Sequence, residues 1–243
     1  MRLYIKEGSY RTARDAFNRL YAHTTITVCL TTVHTWVLKY HSEMEAIRKE
    51  TRNHFPEYAR ANLRWSLDAT GKVDALGVQH FILGIVDYGS RLNLLLVRMP
   101  QETALAILEK ISLMVKKFGK PRFIRTDNAP VFHSVAFKEG LAAIGIKHEF
   151  SGRGKPWQNG RIERLFLTLK ERLNRIVPAN GVALDSLLAE FSIWYNAVRP
   201  HQHLHGFTPL EVWCGINPYT AAPKKVLRFE GWDGMLTGFY MRR

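Results

Sequence analysis

The sequence predicts an α/β fold, a mixed five-stranded sheet with helices packed on it, preceded by a small helical segment. Three observations predict it. Five strand-length runs fall between Leu63 and Phe150; from Leu92 onward they alternate with amphipathic helical stretches; and residues ahead of 61 are polar with a helical period. Three segments follow, a helical segment with linker over 1–60, a core over 61–214 and a basic, aromatic extension over 215–243.

In the first segment, Arg11 to Tyr21 places Ala13, Phe17, Leu20 and Tyr21 on one helical face. Thr31-Thr32 can cap a second short helix in which Val33, Trp36, Val37 and Tyr40 recur at helical spacing. Two short helices around a turn suggest a helix-turn-helix whose second helix enters a major groove, with Thr35 and Lys39 facing DNA. Any small helical hairpin shares that pattern, and Ile26-Thr27-Val28 reads as a strand. The polar stretch His41 to Ala61, with Pro56, is expected to be the linker.

In the core, Arg64 to Ala69 reads as a strand, and Phe81 to Val86 as one covered on both faces. Asp87-Tyr88-Gly89-Ser90 supplies a turn and Leu92 to Val97 returns as the third strand. A helix from Ala104 to Phe118 buries Ile107, Leu108, Ile111 and Val115, and ends at Gly119 before Pro121. Arg122 to Thr126 is the fourth strand, Val131 to Ile144 a helix and Lys147 to Phe150 the fifth strand. After the loop Ser151 to Pro156, a long helix is expected from about Gln158 to Ile176, burying Ile162, Leu165, Phe166, Leu169 and Leu173.

Charge gives the first functional indication. Lys and Arg number 35 against 21 acidic residues, a net charge of +14, so either a polyanionic partner or a solvated basic surface is implied. A 46% hydrophobic composition excludes wholesale disorder, and no apolar run reaches the roughly 18 residues of a membrane span. Residues 1–10 lack the apolar core of a signal peptide, so a soluble cytoplasmic protein is expected. Two cysteines, Cys29 and Cys214, lie far apart in apolar sequence and read as free thiols, which rules out a cysteine-based zinc site.

Three acids stand out by position. Asp68 lies inside the first strand, where a carboxylate is disfavoured without a partner. Asp127 follows the fourth strand, where α/β sheets tend to place their sites, although Asp127-Asn128 is also ordinary turn chemistry. Glu163 lies in the first turns of the long helix, where it flanks the buried stripe and also complements the helix dipole. Lys170, seven positions on, falls on nearly the same line, while Arg161, Arg164, Arg172 and Arg175 project mostly on the opposite flank.

The motifs Arg64-Trp65-Ser66-Leu67-Asp68, Arg125-Thr126-Asp127-Asn128 and Pro156-Trp157-Gln158-Asn159-Gly160-Arg161-Ile162-Glu163 together resemble the retroviral-integrase-type core of bacterial insertion-sequence transposases. Asp127 and Glu163 are separated by 35 residues, the spacing of that family's Asp, Asp, Glu signature. The tail Trp194-Tyr195-Asn196, Arg199-Pro200-His201, Thr208-Pro209 and Glu211-Val212-Trp213 extends the resemblance over about residues 63–214. It implies a ribonuclease-H-like fold and a DNA transposase, with Asp68, Asp127 and Glu163 catalytic and metal-ligating. Two ions of Mg²⁺ or Mn²⁺, a DNA partner comprising transposon ends and target, and a homo-oligomer on DNA are implied with it. Lys170, Arg161, Asn159 and Lys155 are the core residues expected to meet that DNA, in a bacterial cytoplasm and on the nucleoid when bound.

Physical chemistry agrees that such a cluster requires a cation, since two carboxylates about 4 Å apart repel by roughly 4 kcal/mol at an effective dielectric of 20. Asp74 and Asp87 fit turn chemistry and read as structural, and His201-Gln202-His203-Leu204-His205 reads as a histidine-rich loop more than as a metal site. Two other functions share the scaffold. One is a ribonuclease-H-like nuclease, against which Asn159-Gly160-x-x-Glu163 argues; the other is a transposase remnant acting as a non-enzymatic DNA-binding regulator.

Overall fold

The computed structural model describes residues 9–24, 26–45, 60–152, 158–220 and 222–242. Most of the expected linker, most of the loop after Phe150, Lys155 and the Pro156-Trp157 pair lie outside the described residues. The chain divides between Tyr58 and Ala59 into two compact units.

The first unit holds α1 (Tyr10–Leu20) and α2 (Leu30–Lys39). Ala13, Val28, Val33, Val37 and Met44 form its core, with Tyr10 and Phe17 packed alongside. The expected faces narrow here. Leu20 (58% exposed), Tyr21 and Trp36 face outward, so the buried stripe of α2 is the single pair Val33 and Val37, one turn apart. The cap of α2 is Cys29 in place of Thr31-Thr32. Residues 26–28 form no strand. The backbone of Val28 is satisfied by the Asn18 amide, whose Oδ1 accepts from the Val28 N–H at 2.9 Å and whose Nδ2 donates to its carbonyl at 3.1 Å. A side chain thus substitutes for the ladder that a strand needs.

The second unit is built on a five-stranded sheet of order β3-β2-β1-β4-β5. Its strands are β1 (Arg64–Val73), β2 (Gln79–Asp87), β3 (Asn93–Met99), β4 (Phe123–Thr126) and β5 (Lys147–Phe150). The first three form an antiparallel meander, and β4 and β5 run parallel to β1. Both faces are covered, as the apolar run of β2 requires. Trp65, Leu67, Leu83, Ile85 and Ile124 pack beneath α3 (Ala104–Phe118) and α5 (Val135–Ile144), with Ile107, Ile111, Phe137 and Leu141. On the other face Ile82 and Val86 meet α6 (Gly160–Leu173) and α7 (Gly181–Ile193) through Ile162, Leu165, Phe166, Leu184, Leu188 and Phe191.

The helix expected over Val131 to Ile144 is two. A single turn, α4 (Pro130–His133), is separated from α5 by Ser134, which is extended at ψ 146° and whose hydroxyl accepts from the Phe137 N–H. The serine offers the chain a cap in place of one more helical bond. Beyond α7 a π-helical turn, Trp194–Val198, leads to a 3₁₀ turn at Gln202–Leu204 and to α8 (Pro209–Trp213), which opens with a capping box between Thr208 and Glu211.

The extension over 215–243 contains a hairpin of β6 (Lys225–Gly231) and β7 (Leu236–Arg242). It is anchored by packing, for Trp232 and Leu236 are buried against α7 and the π turn. The Trp232 indole donates to the Leu187 carbonyl at 3.0 Å, and the Trp194 indole donates to Thr237 at 2.9 Å. Phe239 remains exposed on its surface.

Candidate active site

The parallel register of β1 and β4 is the starting point. Arg64 pairs with Phe123 and Ser66 with Arg125, a constant offset of 59 residues, so extending the register by two positions sets Asp68 beside Asp127. Both then lie on the α6 face, since Trp65, Leu67 and Ile124 occupy the other. On the opposite side of β1, Asp68 pairs with Gly84 of β2. A Cβ at Gly84 would stand 2.8 Å from Phe166 Cζ and 2.9 Å from Ile162 Cδ1. The missing side chain is what lets α6 sit down on the sheet next to Asp68, and it carries Glu163 there on its exposed flank. The far end of the helix is tied to the same strand, because Lys72 Nζ donates to the Leu173 carbonyl at 2.8 Å.

The electrostatics report the same convergence. Burial pushes the Asp68 carboxyl up to about 6; the Ala69 N–H opposes this, while Asp127 and Glu163 add to it and Lys170 offsets it. Partial desolvation beside the sheet also raises Glu163, exposed though it is. A fourth acid unmarked by the sequence motifs belongs to this neighbourhood, since Glu102 is raised by burial and then by Asp127. The acids stop short of closing into a cage. Among the described residues no group of three His, Cys, Asp or Glu is close enough to hold a metal ion. Asp68 Oδ1 accepts from the Ala69 N–H at 2.7 Å and Asp127 Oδ1 from the Ala129 N–H at 3.1 Å. By donor chemistry the set still fits a hard divalent cation, with three carboxylates, mutual repulsion and no competing sulfur.

The entry to α6 is held from the sheet. Arg64 and Arg125 both bind the Glu149 carboxylate, at 2.9 and 2.8 Å, and Arg125 Nη1 also donates to the Gln158 carbonyl at 3.2 Å. Ser66 Oγ, two residues before Asp68, and Asn159 Oδ1 are buried without a hydrogen-bond partner. These features depend on pairing distant residues, and the sequence carried no signal for them.

The residues expected to meet DNA are dispersed. Lys170 is exposed on the Glu163 flank of α6 and acts on Asp68. Arg161 stands on the other flank with its guanidinium 4.8 Å from the centre of the Tyr88 ring. Asn159 is 3% exposed, beneath the surface it was expected to line. In the first unit Thr35 is exposed with its hydroxyl donated to the Thr31 carbonyl, and Lys39 is exposed beside the Tyr40 ring.

Asp87 is fully buried and takes N–H bonds from Asn62 and Ser90. Asp74 accepts from Leu76, Val78 and the His80 ring, and that ring holds its carboxyl below the ordinary range. His201, read as part of a surface loop, is buried instead. Burial and then Arg199 push it down to about 3, so it is a neutral packing group. Cys29 and Cys214 are free and exposed, not lodged in apolar surroundings.

Comparison with known proteins agrees with this architecture. Residues 144–209 match the model of the integrase core domain family. The Pol polyprotein of Radiation murine leukemia virus (strain Kaplan) is 28% identical over 161 residues, 65% of this chain and 27% of the viral protein. The Gag-Pol polyprotein of Baboon endogenous virus (strain M7) is 28% identical over 162 residues, 65% of this chain and 9% of the viral one. The chain thus spans about a quarter or less of these relatives. Among solved structures, the HTLV-2 integrase catalytic core domain in complex with magnesium aligns at a TM-score of 0.52 and 22% identity, over 63% of this chain and 97% of that one. The simian T-cell lymphotropic virus intasome aligns at 0.58 and 18% identity, over 91% and 85%. The fold is the ribonuclease-H-like one of integrase catalytic cores, and the sequence similarity is to retroviral Pol polyproteins and, over residues 144–209, to the integrase core domain family.

Proposed function

We propose that the protein is a transposase of the insertion-sequence type, which cleaves the ends of a DNA element and joins them to a target strand. One observation carries the reading. The β1–β4 register, extended by two positions beyond Ser66 and Arg125, sets Asp68 beside Asp127, on the face that Gly84 opens to α6 and Glu163. Asp68, Asp127 and Glu163 would hold Mg²⁺ or Mn²⁺, the hard cations that suit an all-oxygen donor set. When bound, such ions activate an attacking oxygen and stabilise a leaving one during in-line displacement at phosphorus.

The chain's own residues do the positioning. Arg125 holds Gln158 and so fixes where α6 begins, which places Glu163 opposite the strand acids. Lys170, on the same flank, offers a phosphate a cation beside the reacting position. The two helices of the first unit, with Thr35 and Lys39 exposed, read the element's ends, and the active form is an oligomer on DNA in the bacterial cytoplasm.

The test is strand transfer with labelled element ends, a target duplex and Mg²⁺ or Mn²⁺. Joined products support the proposal. Hydrolysis without joining reassigns the protein to the nucleases, and specific end binding without either reaction makes it a regulator.

A further inference from the structure

A helical wheel divides the exposed surface of α6 into two flanks. At 100° per residue Glu163 and Lys170 lie on one, and Arg161, Arg164 and Arg172 lie within about 80° of one another on the other. The second flank continues onto neighbouring elements. Arg91, in the turn between β2 and β3, has its charge opposed by Arg161 and Arg164, and His203 faces the same three arginines. Arg199 repels Arg172 from the π turn.

Three features distinguish this surface from an ordinary solvated face. First, among the described residues its cations are mostly without counter-charges. Among the described residues the one ion pair along the flank is Arg172 with its neighbour Glu171, at 3.9 Å, and Arg91 has no carboxylate partner although it is 8% exposed. Second, Arg91 stands at φ 62°, a left-handed position that glycine or asparagine fills at less cost. Third, aromatic rings alternate with the cations. Arg161 lies 4.8 Å from the centre of Tyr88, Arg172 4.5 Å from Trp194 and Arg199 5.9 Å from Tyr195. Rings hold guanidinium groups in place without neutralising them.

We propose that this flank, formed by Arg161, Arg164, Arg172, Arg199 and His203 above the buried cation Arg91, is a binding track for the sugar-phosphate backbone of duplex DNA, separate from the flank that carries Glu163 and Lys170. The eleven steps from Arg161 to Arg172 rise about 16 Å along the helix, the length of about five base-pair steps at 3.4 Å of duplex axis each. A joining reaction needs two DNA segments seated at once, and α6 has a flank for each. The inference rests on the proposed function in taking DNA as the ligand and in giving the two flanks one DNA segment each.

The experiment is binding of a labelled duplex to the full chain in EDTA, between 50 and 200 mM salt. The variants are Arg164→Gln, the double Arg164→Gln/Arg172→Gln, and Arg98→Gln, which removes a charge already paired with Asp185 at 2.8 Å. Each lost phosphate contact should lower the salt slope by about 0.9, so the double variant should lose roughly tenfold less affinity than the wild type across this range. Arg98→Gln should keep the wild-type slope. Wild-type slope and affinity in both arginine variants would overturn the track, and exposed Arg164 alone suffices should the double variant melt early. Because EDTA silences catalysis, a track that survives in a protein without strand transfer refutes the proposed function alone.

Discussion

The seating of α6 on the sheet rests on Gly84, and Gly84→Ala is its sharpest perturbation. The added methyl would meet Phe166 Cζ at 2.8 Å, Ile162 Cδ1 at 2.9 Å and Phe166 Cε1 at 3.1 Å, where ordinary contacts begin near 3.4 Å. Neither neighbour can simply swing away, because both are buried among Ile82, Val86, Leu165 and Leu169. We predict that the strain is relieved by lifting the start of α6, at a cost of about 1–3 kcal/mol. For a protein of this size that lowers the melting temperature by about 2–4 °C per kcal/mol. The lift separates Glu163 from Asp68, and a displacement near 1 Å can cost about a hundredfold in rate. Strand transfer should therefore fall far more than DNA affinity. Phe166→Leu in the same chain removes the ring atoms in the way and should restore part of both losses. Thermal melting, duplex binding and strand transfer on the three proteins make the test. A Gly84→Ala protein as stable and as active as wild type refutes the argument that this glycine positions the helix.

Two further predictions concern pH and the front of the chain. His201 is neutral in the folded protein, pushed down to about 3, whereas the unfolded chain protonates near 6.5. The unfolded state binds the extra proton between those values, so the stability this group contributes is complete above about 6.5 and is lost as pH falls toward 3. Melting followed from pH 7 to 4 should show that decline, on the order of a few kcal/mol, and His201→Gln should flatten it; an unchanged acid limb contradicts it. Deleting residues 1–45 should abolish preference for the element's ends while the core keeps salt-sensitive binding to any duplex. Competition between end and random duplexes measures this, and retained preference moves end recognition to the core.

β2 was legible because its apolar run exceeds what a half-exposed strand carries, whereas the short β4 and β5 were legible from their alternation with helices, and Asp68, Asp127 and Glu163 were singled out by their positions together with the family resemblance. What the sequence concealed has physical causes. α7 buries Leu184, Leu188 and Phe191 but also exposes Val182 and Ile193, which blurs the helical period. The hairpin hides Trp232 and Leu236 yet exposes Val226, Phe239 and Met241, so the segment reads as no more than a basic, aromatic extension. In α2 the period predicted Trp36 inside, but this helix gives only Val33 and Val37 to a core that Ala13, Val28 and Met44 complete. The Arg64–Glu149 bond joins residues 85 positions apart through the sheet register, and Glu102 comes within electrostatic reach of Asp127 from the loop ahead of α3; no local pattern states either.

The central claim is that Asp68, Asp127 and Glu163 act as one metal-binding unit. Groups that act as a unit are non-additive, so Asp68→Asn, Asp127→Asn and Glu163→Gln should each cost nearly as much strand transfer as the triple change. Mg²⁺ or Mn²⁺ should raise the melting temperature of the wild type by mass action, and raise that of the variants much less. The decisive measurement is strand transfer by Glu163→Gln at saturating metal. Joining should be lost in a protein that still folds and binds duplex, and substantial joining by that variant would contradict the three-carboxylate assignment.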